Sequence, residues 1–350
     1  MQPATDIFPV RFRQARAIAR RSLRELASDL HVSHTLLNRY ETGAAKPVAS
    51  MLLKIADALG VAPDFFFRRE QPALQEIRFR KKSALGAREK RSIEERAKDF
   101  FSRYLEIEQI AAHETPSFPR FEASRERSPE AWAQRLREDW HLGDDPIPNL
   151  QQLLENKGVK IFEIDTDNEK FDGFSAVCGD AAFLVIASWL KKDLPRKRMT
   201  LAHELGHLLV AQDESFSEDE HEAFADAFAS AFLMPRDTFS KMFGWRRSRV
   251  SLSELLPVKA YFGVSIAALM YRARVLELIS ESSFRQFCIV RNKLGWRKKE
   301  PGSYRGEESS SRFERLVKKS VQEAEISESK GAALLGVPLA KLRKELANAV

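Results

Sequence analysis

Two histidines and a glutamate in the run His203-Glu204-Leu205-Gly206-His207 carry the clearest chemistry in this sequence. On a helix, residues four apart stack one turn above the other, so His203 and His207 present two imidazoles to one point. That spacing suits a shared tetrahedral Zn²⁺, with Glu204 beside it, able to take a proton from water without ligating. Only 7 histidines occur in 350 residues, so two at this spacing are less easily incidental. Met199, Leu201, Ala202, Leu205, Leu208 and Leu209 make the rest of the helix a core element. The competing reading is two partly buried histidines that hold no metal.

A catalytic zinc site needs a third protein ligand and an open position for water. Residues 208–213 supply no third histidine. Glu222, fifteen positions beyond His207, is the leading candidate, with His221 as its rival and Glu218 and Glu220 as weaker ones. Glu222 and Asp226 are four apart in a helix expected over 218–234, so they share a face. That face can offer Glu222 to the metal and Asp226 to the outer ring nitrogen of a histidine ligand. Tyr261 is the only side chain suggested for stabilising an oxyanion.

These residues need a scaffold, and the surrounding pattern supplies one. Helices are expected at 129–141, 148–156 and 196–211, with strands at 159–164, 174–178 and 181–188. Gly179-Asp180 between the last two strands is a two-residue hairpin signal. The expected product is an α+β domain with a small antiparallel sheet.

A second constellation lies near the N-terminus. Leu23, Leu26, Ala27 and Leu30 fall at helical spacing, followed by a break and by Ser33 in an N-cap position. The next helix, 34–41, turns Leu36, Leu37 and Tyr40 inward and leaves His34, Thr35, Asn38 and Arg39 outside, with Gly43 as its stop. A helix over 49–59 is expected to bury Leu52, Leu53, Ile55, Ala56 and Leu59, with Phe65, Phe66 and Phe67 packing back. Two short helices joined by a tight turn, the second polar at its start, is the shape that enters a major groove. Ser33, His34, Thr35, Asn38 and Arg39 are the expected DNA contacts.

Bulk properties agree. With 43% hydrophobic and 31% charged residues the chain is an ordinary globular protein. No apolar run is long enough to span a bilayer, the first residues lack a signal-peptide pattern, and two cysteines are too few for a disulfide framework. A cytoplasmic protein with no membrane partner is expected. The net charge is +7, yet residues 1–104 alone hold 21 Lys/Arg against 12 Asp/Glu, which suggests where a polyanion binds. The expected organisation is mainly α and multidomain. It comprises an all-α bundle at 1–70, a basic helical connector and linker at 71–127, a metal-site domain at 128–297, and a loop with a C-terminal helical module at 298–350. Residues 298–312 read as a flexible surface loop, and 115–129 as a linker.

Two resemblances sharpen this. Leu26-Ala27, Val32-Ser33, Arg39-Tyr40-Glu41-Thr42-Gly43, Pro47 and Ile55-Ala56-x-Ala58-Leu59-Gly60-Val61 closely resemble the Cro/repressor-type (XRE) helix-turn-helix family over residues 9–67. The resemblance implies a five-helix fold, a recognition helix at 33–40, binding to double-stranded operator DNA and a homodimer. Arg198-Met199-Thr200-Leu201-Ala202-His203-Glu204-Leu205-Gly206-His207-Leu208-Leu209 and Glu222-x-x-Ala225-Asp226-x-Phe228-Ala229-x-x-Phe232-Leu233-Met234-Pro235 look like the ImmA/IrrE family of metallopeptidases over residues 128–275. Asp226 departs from the Asn of many members and keeps its hydrogen-bonding role. This resemblance implies a gluzincin-like fold, zinc held by His203, His207 and Glu222, and Glu204 as general base. It also implies regulatory proteolysis in a bacterial or phage stress module, acting on a partner regulatory protein. The alternative expectation is a silent regulator whose zinc domain senses or binds a partner.

Overall fold

The computed structural model describes residues 7–68, 78–80, 85–111, 118, 128–210, 217–247 and 249–348, and these fall into two units that do not follow linear order. Unit 1 comprises Met1–Ile77, Lys82–Thr115 and Ser311–Val350, and unit 2 comprises Arg78–Lys81 and Pro116–Ser310. All of the expected linker except Phe118, Ser128 and Pro129 lies outside the described residues.

Unit 1 opens with α1 (Ile7–Ile18), α2 (Leu23–Asp29), α3 (His34–Glu41) and α4 (Ala49–Leu59), then a 3-10 turn over Pro63–Phe67. Ser22 starts α2 through a capping box with Glu25, and Ser33 starts α3 by accepting from the Leu36 N–H. Leu26, Leu37, Ile55, Leu59 and Phe66 are buried together around Phe12. Leu53, expected inside, is 56% exposed, and Phe67 is exposed as well. The buried stripe of α4 runs 52, 55, 56, 59, and position 53 is rotated about 100° away from residue 52 on a 3.6-residue helix.

Unit 2 adds the short strand β1 (Arg78–Arg80), and the chain then returns to unit 1 for the long helix α5 (Ala87–Ile110). From α6 (Pro129–Asp139) and α7 (Leu150–Asn156) onward unit 2 is continuous through β2 (Val159–Ile164), β3 (Gly173–Cys178), β4 (Ala181–Ala187), α8 (Leu194–Leu209), α9 (Glu218–Leu233), α10 (Arg236–Phe243), α11 (Leu252–Phe262), α12 (Ile266–Val275) and α13 (Glu281–Lys293). The sheet order is β1-β3-β4-β2. The β3–β4 hairpin turns at Gly179, whose φ is +57°, but β2 pairs parallel to β4, so the sheet is mixed where an antiparallel one was expected. The connection at 165–172 is long enough to carry the chain past one strand position, which a tight hairpin cannot do. Helix α8 starts two residues earlier than expected because Asp193 caps it and Pro195 suits its first turn.

The segment after α13 is not a free loop. Glu300 accepts hydrogen bonds from the Ile266 and Ala267 N–H groups at the start of α12, at 2.8 and 3.2 Å. Glu308 is buried, pairs with the buried Arg198 of α8, and accepts from the Gln151 N–H at 3.0 Å. Its carbonyl accepts from Lys197 Nζ at 2.6 Å. The partners of Glu308 lie more than a hundred residues away in sequence, and those of Glu300 more than thirty, beyond any local pattern.

The chain then re-enters unit 1 with α14 (Arg312–Gln322), α15 (Glu328–Leu335) and α16 (Leu339–Ala347). Phe313 packs on Phe100 and Tyr104 of α5, with ring centroids 5.0 and 5.1 Å away. Asp99 of α5 binds Arg103 at 2.9 Å and has Arg11 and Arg68 at 3.8 and 3.9 Å. Arg68 and Arg103 in turn donate to the Ala333 and Leu334 carbonyls at the end of α15. One carboxylate thus ties α1, the 3-10 turn, α5 and the tail together. Asp99→Ala removes the carboxylate that Arg11, Arg68 and Arg103 share and should cost about 3 kcal/mol in chemical denaturation, with amide exchange accelerating in α14–α16.

Candidate metal centre

Helix α8 is amphipathic toward two partners. Its Thr200 meets the sheet at Gly173, where a Cβ would stand 2.6 Å from the Val185 carbonyl, so only glycine lets the strand lie this close. On its other side Gly206 meets α9: a Cβ there would be 3.0 Å from Ala225 Cα and 3.1 Å from Phe228 Cδ1. Helix α9 starts at a capping box between Ser217 and Glu220, and Phe224, Phe228 and Phe232 stack along it at 6.3 and 5.4 Å. These contacts fix both helices, so residues projecting from them are held without loop freedom.

Between the helices three side chains converge. His203 Nε2 and His207 Nε2 are 3.0 Å apart, and Glu222 places Oε2 3.5 Å from the first and Oε1 3.3 Å from the second. A ligand atom from each of the three lies within 4.8 Å of the others, the only such metal-type group among the described residues. Tetrahedral zinc with bonds of about 2.0–2.1 Å sets neighbouring ligand atoms about 3.3 Å apart. The two imidazole nitrogens and the Glu222 oxygen nearest each of them stand at separations of that order, so the donor set fits zinc by type and by size.

Around this triangle, Asp226 Oδ1 lies 2.8 Å from His203 Nδ1 and so can hold the ring with its Nε2 lone pair turned inward. Glu204 is 1% exposed, and its Oε2 is buried without a hydrogen-bond partner, as is His207 Nδ1. His221 is not part of the cluster. The Tyr261 hydroxyl donates to Asp145 Oδ1 at 3.3 Å. Asp145 lies in the connection after α6, and among the described residues no hydrogen bond joins Tyr261 to the triangle. In unit 1, Ser33 caps α3 while His34, Thr35, Asn38 and Arg39 are all exposed on it, and Leu37 and Tyr40 anchor the opposite face.

The electrostatics of the cluster favour a cation. Burial disfavours a charged His203, but the hydrogen bonds to Asp226 and Glu222 outweigh it and push its pKa up to about 10. The two histidines hold the Glu222 carboxyl far below the usual carboxylate range. Acidic groups so arranged favour positive charge at the point where the two imidazoles meet, whether a proton or a metal ion supplies it.

Comparison with known families gives two matches. Residues 154–274, which contain α8 and α9, match the IrrE N-terminal-like domain, and residues 8–64 match a helix-turn-helix domain. A search of curated proteins returns no match.

In the metal-free chain the raised His203 pKa stabilises the fold fully below about 6.5, its unperturbed value, and this contribution is lost as pH rises through about 10. Thermal unfolding of chelator-treated protein should therefore show a melting temperature that falls between those limits. The fall should shift to lower pH in Asp226→Asn.

Proposed function

We propose that this chain, in which a helix-turn-helix domain is joined to an ImmA/IrrE-type domain, is a DNA-binding transcription regulator carrying a zinc-dependent endopeptidase. On this reading it cleaves a partner regulatory protein in a stress, phage or toxin-antitoxin-like module. The observation that carries the reading is the triangle of His203, His207 and Glu222 with the buried Glu204 one position along α8 from His203.

Zinc held by those three residues would supply a Lewis acid that activates water and polarises a peptide carbonyl. Glu204 receives the proton of the attacking water and returns it to the leaving amine. Burial and the unpartnered Oε2 suit this carboxylate to that exchange, because no protein donor holds that oxygen. Asp226 orients His203 through Nδ1, so that ring stays in the tautomer that ligates through Nε2. Histidine and glutamate donors alone, without cysteine, are typical of catalytic zinc sites rather than closed structural ones.

On the DNA side, α3 is the recognition helix. Asn38 and Arg39 suit base edges in the major groove of an operator, while Ser33, His34 and Thr35 suit phosphates near its start. The protein works in the cytoplasm as a homodimer on paired half-sites. A second reading, a regulator whose zinc domain senses or binds a partner without cutting, draws on Tyr261 being engaged with Asp145, which leaves no assigned oxyanion donor.

Two measurements test these claims. New protein N-termini are compared in host cells expressing wild type or Glu204→Gln, with and without DNA-damaging or oxidative stress. Termini unique to wild type, with equal zinc in both proteins, are expected; their absence despite bound zinc selects the second reading. For the DNA claim, Asn38→Ala with Arg39→Ala should raise the operator Kd about tenfold or more at unchanged zinc content. Retained specific binding would place recognition elsewhere.

A further inference from the structure

Unit 2 divides its charge unevenly along the sequence. Residues 116–235, which contain the metal triangle, hold 13 Lys/Arg against 23 Asp/Glu, whereas residues 236–299 hold 14 against 4. The second stretch is therefore +10, more than the +7 of the entire chain. Part of this excess has a structural purpose: Arg272 is buried against Glu130, Lys259 against Glu300, and Arg247 pairs with Glu254. Such pairing does not account for Lys241, Arg246, Arg249, Lys293, Lys298 and Lys299. All six are exposed, and among the described residues none has a carboxylate within ion-pair reach.

Their places in the fold form a pattern. Arg247 N–H donates to the Leu278 carbonyl at 2.9 Å, which sets Arg246 and Arg249 near the turn between α12 and α13. Glu300 sits on the first N–H groups of α12, so Lys298 and Lys299 stand near the other end of the same helix pair. Lys293 lies at the last residue of α13, a helix with no buried residue at all. Cations thus stand at both ends of the exposed helix α13, which packs beside the buried α12, instead of gathering around one pocket.

We propose that residues 236–299 form a second DNA surface, which grips duplex phosphates through these cations without reading sequence. A distributed row of unpaired Lys and Arg suits a polyphosphate backbone better than one compact anion. This rests on the reading of unit 1 as a DNA-binding unit. Once α3 holds an operator, neighbouring phosphates stand at high effective concentration for anything tethered to it. The acidic stretch of unit 2, which holds the metal triangle, is repelled by the same phosphates. The exposed Ile289 and Val290 of α13 and Leu294 at its C-cap are what an acidic protein partner would use instead.

The test uses the full chain and a fluorescent duplex of arbitrary sequence, with Kd followed by anisotropy across a salt series. One variant carries Arg246→Gln, Arg249→Gln, Lys298→Gln and Lys299→Gln. A control carries Lys157→Gln, Lys170→Gln, Lys191→Gln and Lys192→Gln, which removes the same charge from the acidic half. Each lost phosphate contact lowers the slope of log K against log salt by about 0.9, so the first variant should lose about 2 to 4 units of slope and the control less than about 1. An unchanged slope, or equal losses in both variants, overturns the proposal. Weakened binding to poly-L-glutamate at unchanged DNA slope also overturns it, and assigns the surface to an acidic protein. Asn38→Ala with Arg39→Ala separates the two DNA claims. If that change abolishes operator specificity while the slope difference between the quadruple variants persists, both surfaces stand. If specificity survives, the recognition helix fails alone.

Discussion

Everything at the metal centre depends on how closely two helices can approach. Helices normally pack with axes 8–10 Å apart, the spacing set by the side chains between them. At Gly206 there is no side chain, and Ala225 and Phe228 of α9 fill that space. His203 and His207 flank this point on α8, and Glu222 and Asp226 flank it on α9, so the same contact that packs the core brings four polar groups within reach. The ladder of Phe224, Phe228 and Phe232 resists sliding, and Gly173 lets the sheet support α8 from behind. A ligand set on two fixed helices costs little further ordering when an ion arrives, which is what a preorganised site requires.

Buried charges fix the connections that packing alone leaves free. Arg198 with Glu308, Lys259 with Glu300 and Arg272 with Glu130 each join segments distant in sequence. Pairs of this kind add little net stability because both partners must be dehydrated, yet a mismatched arrangement would strand a charge in the interior. Their contribution is therefore to specify one path for the chain over the back of α8 and α12. In unit 1, Asp99 serves the same end with three guanidiniums.

Local rules carried much of this into the sequence. Ser33, Gly43, Gly60 and Gly179 mark boundaries because capping and left-handed backbone depend on the residue itself, and the 203/207 and 222/226 spacings read as shared faces because helix geometry is universal. Leu53 was misplaced because hydrophobicity tells less than phase on the helix. The parallel pairing of β2 was hidden because strand order is a property of the connection, not of the strand. The strap was read as flexible because Ser, Gly and charge suggest a loop, and only the distant Arg198 and Lys197 reveal why Glu308 goes inside. The basic stretch at 236–299 is hidden in the net charge because it cancels against the acidic stretch at 116–235 when the two are summed.

The discontinuity of unit 1 has a consequence for biosynthesis. Its first helices leave the ribosome early, but α5 must wait for the whole of unit 2 before Phe313, Arg312 and the α15 carbonyls arrive to cover Phe100, Tyr104 and Arg103. A nascent or prematurely terminated chain therefore displays an apolar helix face next to a DNA-reading module, a form suited to recognition by chaperones and proteases. Only a chain that has passed α15 closes that face. Unit 1 is thus finished only once the entire domain carried between its parts has been made.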